Sequence, residues 1–171
     1  MDLLVYSPDT ALWGGRRMRC ALGRAGISVR KREGDGATPA GAWPMRQLLY
    51  RPDRLARPAT GLPTAPLSLR DGWCDDPNDS NYNRPVTLPY AARAETLWRE
   101  DNVYDLIVPL GYNDDPVVPG LGSAIFLHLA KADFAPTEGC VALSSADLFA
   151  VLSSADAGSR VIVHAVETLP A

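Results

Sequence analysis

The chain has 171 residues, 46% of them hydrophobic, which is enough for one globular domain with a buried core and too few for separate recognition modules. Its formal net charge of -3, with both signs interspersed, leaves no basic footprint for nucleic acid, and no apolar run is long enough to span a bilayer. Fifteen prolines and fourteen glycines argue against a helical bundle and for short strands joined by turns, so the expectation is a single domain over residues 1–171.

In chain order, Met1 to Pro8 reads as a first strand, since it has neither the basic region nor the apolar length of a secretory leader. Leu12 to Ile27, broken by Gly14-Gly15, Gly23 and Gly26, reads as a hairpin with Arg16, Arg17 and Arg19 alternating against Met18 and Cys20 on a solvated face. Gly34 to Trp43 has turn chemistry at Thr38-Pro39-Ala40-Gly41 and is either a strand connector or one wall of a site. Met45 to Tyr50 is a short strand. From about 51 to 67 the chain carries Pro52, Pro58, Pro63 and Pro66 with little periodicity, so this insert is expected as a surface loop that restricts access to the site.

Asp71 to Pro85 is polar and turn-rich. Trp73 and Tyr82 are expected to cover apolar faces of a ligand while Asn83 and Arg84 bind its carboxylates or amides. Asp75, Asp76, Asn78 and Asp79 are oxygen donors, but their spacing does not match an EF-hand loop. No metal is expected, because the chain lacks a C-x-x-C motif and its two histidines are far apart. Ala91 to Glu100 holds helix formers with Leu97-Trp98 on a buried stripe, and Tyr104 to Leu110 reads as a core strand.

The stretch that organises the rest is Ser123 to Leu143. An apolar strand, Ala124 to Leu127, delivers His128 at its end, and Cys140 follows Gly139 before another apolar run. A strand-end histidine and a post-glycine cysteine are the parts of a thiolate nucleophile with its base, because a free thiol is mostly protonated at neutral pH. The same residues also suit plain core roles, a packed thiol and a hydrogen-bonded imidazole. Ser144 to Asp147 reads as an S-x-x-D helix start, with Leu148, Val151 and Leu152 facing the core up to about Ser153. Arg160 to Val166 is a closing strand in which His164 is a sheet-face residue. Cys20 and Cys74 are candidates for a bridge in an oxidising compartment, leaving Cys140 free.

Ile125-Phe126-Leu127-His128, Thr137 to Leu143, Asp147-Leu148, Val151-Leu152 and the Gly34 to Trp43 turn, in this order and spacing, resemble the L,D-transpeptidase catalytic domain family (YkuD, or ErfK/YbiS/YcfS/YnhG). The resemblance runs from about Lys31 to Val166. It departs from the family pattern at Glu138, where a basic residue is usual, at Ala142, where Arg or Asn is common, and at Leu129, where Gly or Ser is usual.

The resemblance implies a mainly β domain, a curved mixed sheet or sandwich with short helices. It also implies a peptidoglycan L,D-transpeptidase, in which Cys140 attacks a stem-peptide carbonyl and His128 acts as base and then acid. The carbonyl after His128 orients the imidazole, the amides of Gly139 and Cys140 bind the oxyanion, and Thr137 supports the loop beside Glu138. The implied partners are peptidoglycan stem peptides and glycan. No cofactor, nucleic acid or transmembrane segment is expected, a monomer is favoured, and the family implies a periplasmic or envelope location by a route the sequence does not show. An L,D-carboxypeptidase or amidase using the same cysteine and a non-catalytic wall-binding module are the alternatives. The departures at Glu138 and Ala142 leave the stem bond open between the family's usual link of two diaminopimelate residues and an atypical one from L-alanine to diaminopimelate, towards which the proline-rich insert leans slightly.

Overall fold

A computed structural model describes residues 1–165, and most of its strands join one ten-stranded mixed sheet. The first part of the chain supplies β1 (Asp2–Tyr6), β2 (Thr10–Trp13), β3 (Arg16–Ala21), β4 (Ile27–Ser28), β5 (Thr38–Pro39) and β6 (Gly41–Pro44). Then come β7 (Leu48–Tyr50), β8 (Thr64–Pro66), β9 (Asp71–Cys74), β10 (Pro85–Thr87), β11 (Ala94–Thr96) and β12 (Leu106–Pro109). The last part holds β13 (Phe126–Leu129), β14 (Val141–Leu143), the helix α1 (Ser145–Leu152) and β15 (Arg160–Val163). The large sheet runs β6-β15-β1-β2-β3-β14-β13-β12-β7-β8; β10-β9-β11 and β4-β5 form two small sheets. The mainly β architecture is the one the sequence pattern implies.

Local chemistry explains the first hairpin. Gly14 and Gly15 both take positive φ, +55° and +82°, which is the twist a two-residue turn needs to join right-twisted strands. Trp13 therefore pairs with Arg16, and the arginines of β3 stay in solvent while Met18 and Cys20 are buried.

β13 and β14 lie parallel at the centre of the sheet, with Leu127 opposite Val141, His128 opposite Ala142 and Leu129 opposite Leu143. Because side chains alternate across a strand, two faces result. Leu127, Leu129, Val141 and Leu143 join the main core with Leu148, Val151 and Leu152 of α1. Phe126 and Cys140 join a second apolar cluster with Ile107, Tyr104 and Leu97, under the small sheet that carries Trp73. The helix is capped as its S-x-x-D start predicts: Ser144 Oγ accepts the Asp147 amide at 3.1 Å and donates to Asp147 Oδ2 at 2.7 Å.

Three expectations change. Ala91 to Glu100 is not helical; Ala94–Thr96 pairs with β9, and tertiary pairing overrides the helix propensity, although Leu97 is buried as expected. The proline-rich insert is partly a strand: β8 pairs in parallel with β7 at the outer edge of the sheet, where proline is tolerated. Arg51 anchors its start, buried at 3% exposure, bidentate on Asp53 and 3.8 Å over the Trp98 ring. The closing strand is described to Val163, and its expected end at Val166 lies outside the described residues. Among the described residues no helix is long and apolar enough to cross a membrane.

Candidate active site

The parallel register of β13 and β14 places His128 and Cys140 on the same sheet face, and both line one cavity of about 310 Å³. Thr137, Glu138, Ala142, Tyr104 and Glu95 line it too. The backbone holds the thiol at both of its hydrogen-bonding functions. The Phe126 N–H donates to Cys140 Sγ at 3.4 Å, and the thiol donates to the Ala124 carbonyl at 3.3 Å.

His128 is held by its own chain. Its Nδ1 lies 2.8 Å from the Leu129 carbonyl oxygen, and its ring meets Tyr104 edge-on at 5.2 Å. A carbonyl only accepts, so Nδ1 carries the proton and Nε2 keeps its lone pair. Burial pulls the imidazole down to about 4, partly offset by the Leu129 and Val103 carbonyls. Burial pushes the Cys140 thiol up to about 12, and the Glu95 carboxylate adds to this. Both groups are therefore neutral at rest.

The loop before the cysteine is fixed by hydroxyls. Thr137 Oγ1 donates to the Cys140 carbonyl at 2.7 Å and accepts the Gly139 N–H at 3.1 Å; Thr38 Oγ1 also reaches that carbonyl, at 3.5 Å. The Gly139 amide, expected to bind an oxyanion, is thus occupied by Thr137 in this state. Gly139 sits at φ +138°, and a Cβ there would lie 2.8 Å from the Ala37 carbonyl oxygen, so glycine is required where the Gly34 to Trp43 turn presses on the loop. Glu138 points outward: its side chain is 78% exposed and pairs with Arg24 at 3.0 Å. The carboxylate that acts on the thiol is Glu95.

Other expected contacts fall elsewhere. Tyr82 is only 2% exposed, donates its hydroxyl to Glu33 and accepts the Gly122 N–H at 3.0 Å, so it is a core residue and not a ligand platform. Trp73 packs edge-on behind Phe126 at 5.2 Å, its indole N–H on Asn83 Oδ1, and does not reach the cavity. Arg84 donates to the Asp114 carbonyl at 2.8 Å, also away from the cavity. The insert lines none of it; Gly61 instead donates to the Ala155 carbonyl just beyond α1, so the expected lid is not formed. Cys20 and Cys74 are buried free thiols on different sheets. Asp75 pairs with Arg93, while Asp76 and Asp79 close local turns. Among the described residues no group of His, Cys, Asp and Glu is arranged to hold a metal. His164 stacks on Tyr6 at 4.4 Å, as a sheet-face residue would.

The profile of the L,D-transpeptidase catalytic domain family matches residues 3–163 of the 171. The chain belongs to the YkuD family. No curated protein and no solved structure matches the chain. The YkuD assignment agrees with the curled mixed sheet and points to a peptidoglycan substrate.

Sequence reasoning missed Tyr104 and Glu95, whereas Thr38 belongs to the turn read as a connector or one wall of a site. Tyr104 donates to Glu95 Oε1 at 2.5 Å while its ring meets His128 edge-on, so it touches both residues. Neither has a local signature: Glu95 sat in a stretch read as helix, and only the pairing of Glu95 with Trp73 brings it in.

Proposed function

We propose that the protein is a peptidoglycan L,D-transpeptidase working through an acyl-cysteine on Cys140. The observation that carries the reading is the placement of His128 and Cys140 on adjacent parallel strands, facing one cavity, with Nδ1 of the imidazole tied to a backbone carbonyl. A stem peptide entering the cavity presents an amide carbonyl to Sγ. As the C–S bond forms, the thiol proton passes to His128 Nε2, so the charged pair exists only while substrate is present. His128 then returns the proton to the leaving amine, and the C–N bond breaks to give the thioester. The Cys140 amide serves the oxyanion, joined by Gly139 once Thr137 releases its N–H. An amine of a neighbouring stem resolves the thioester.

Ala142 lies opposite His128 in the ladder and lines the cavity, so the position that commonly carries Arg or Asn is here a methyl group. A methyl group there lacks the polar donors of Arg or Asn, which supports an atypical donor, with L-alanine joined to diaminopimelate. The site of action is the cell envelope. Sequencing the products made from purified disaccharide-peptide stems tests the reading. Dimers linked through L-alanine are expected; trimmed monomers alone would make the protein an L,D-carboxypeptidase, and no product would leave a wall-binding role.

A further inference from the structure

We propose that Glu95 is the acceptor-side residue of this site: its carboxylate binds the ammonium of the incoming stem and takes the first proton from it. The proposal rests on the acyl-cysteine reading and extends it to the second half of the reaction. Glu95 lines the cavity with Cys140 and His128, and the Tyr104 hydroxyl fixes its Oε1 at 2.5 Å. Among the described residues Oε2 accepts no hydrogen bond and is not sealed from solvent, so one carboxylate oxygen is anchored and the other is free for a cation. Arg99, the arginine that lines the cavity, is bidentate on Asp101, and among the described residues Glu95 has no direct ion pair. Asp75 also lines the cavity but is paired with Arg93, and the cations lining it include Lys31, paired with Asp35, and Arg99, paired with Asp101, so the open Oε2 itself is what favours a cation at Glu95.

Burial gives the carboxylate a reason to seek a positive partner and to accept a proton. It raises the Glu95 carboxyl above its ordinary range, with the Tyr104 hydroxyl and Arg99 opposing the rise. A carboxylate that also raises the thiol of Cys140 costs the first step something. That cost is understandable if the charge serves the second step.

The step balances. An ammonium on the acceptor gives one proton to Glu95, and the neutral amine attacks the thioester carbonyl to form the C–N bond. The C–S bond then breaks, and a second proton from that nitrogen passes through His128 to the Cys140 sulfur, leaving an amide with one N–H.

Glu95→Gln separates the two halves. The amide side chain keeps the volume and still accepts from Tyr104, and the first half reports on folding. Wild type and Glu95→Gln are acylated with donor stem, followed by intact-protein mass, and chased with an acceptor stem or its N-acetylated copy. Expected is adduct formation at the wild-type rate or faster, with aminolysis by the free-amine stem down at least about 10-fold and partly restored in Glu95→Asp. Unchanged aminolysis of a normally formed adduct overturns the inference and leaves the acyl-cysteine reading standing, as does loss of acylation in Glu95→Gln alone. Absence of an adduct in the wild type is the failure of the acyl-cysteine reading itself.

Discussion

Nδ1 of His128 lies 2.8 Å from the carbonyl oxygen of Leu129, the next residue in the chain. The imidazole is therefore oriented by backbone geometry rather than by a carboxylate, and the orienting partner cannot be removed by substitution. The imidazole itself is the element to test.

His128→Gln keeps a polar side chain of similar reach but has no basic nitrogen. The rate of Cys140 acylation is expected to fall by about 10²–10⁴-fold, measured as adduct growth by intact mass. Acylation within a factor of two of wild type would show that His128 is a core residue.

The same burial that neutralises the pair makes stability depend on pH. His128 is depressed from 6.5 to about 4, so the unfolded chain binds the extra proton first, and stability is lost as pH falls from 6.5 towards 4. Cys140 is raised from 9.0 to about 12, so the unfolded chain loses its proton first, and stability is lost as pH rises from 9.0 towards 12. Each limb is on the order of 3 kcal/mol. Denaturant melts at pH 4, 7 and 10 should trace a dome, and His128→Gln should flatten its acid side; an acid limb identical in the variant would contradict the assignment.

Thr137 holds two backbone groups of the nucleophile loop, accepting from Gly139 and donating to the Cys140 carbonyl. Thr137→Val leaves the Gly139 amide without its partner and is expected to cost about 1–3 kcal/mol in unfolding free energy. Acylation should fall by about 10–100-fold as the loop loses its fixed geometry. A variant with full activity would remove Thr137 from the account.

The proline-rich insert gives a prediction opposite to the one its sequence suggests. Because it packs against the segment after α1 and not over the cavity, replacing residues 56–59 with a Gly-Ser linker should lower stability modestly, through loss of the buried Pro58, and leave Cys140 acylation unchanged. A changed acylation rate would restore the lid.

What the sequence could reveal was what is local along the chain. The strand into His128, the glycine before Cys140, the Ser144 cap and the Arg/Met alternation of β3 all depend on neighbours a few residues away, and each was legible. The curled sheet came from the family pattern. Glu95 and Tyr104 were not legible, because they meet the nucleophile only through β11 pairing on β9 and β12 pairing on β13. Tyr82 misled for the opposite reason: a tyrosine in a polar, turn-rich run looks like a binding surface, but its ring is buried and its hydroxyl is spent on Glu33. Glu138, acidic where a basic residue is usual, is drawn outward by Arg24, and the carboxylate that raises the thiol is Glu95.

The most direct test of the central claim is intact-protein mass spectrometry of the wild type and Cys140→Ala after incubation with purified disaccharide-peptide stems, with peptide mapping of any adduct. The account predicts a thioester-linked stem fragment on Cys140, absent from the variant and discharged by added amine. No adduct on Cys140 with any stem, or an adduct that persists in Cys140→Ala, would contradict it.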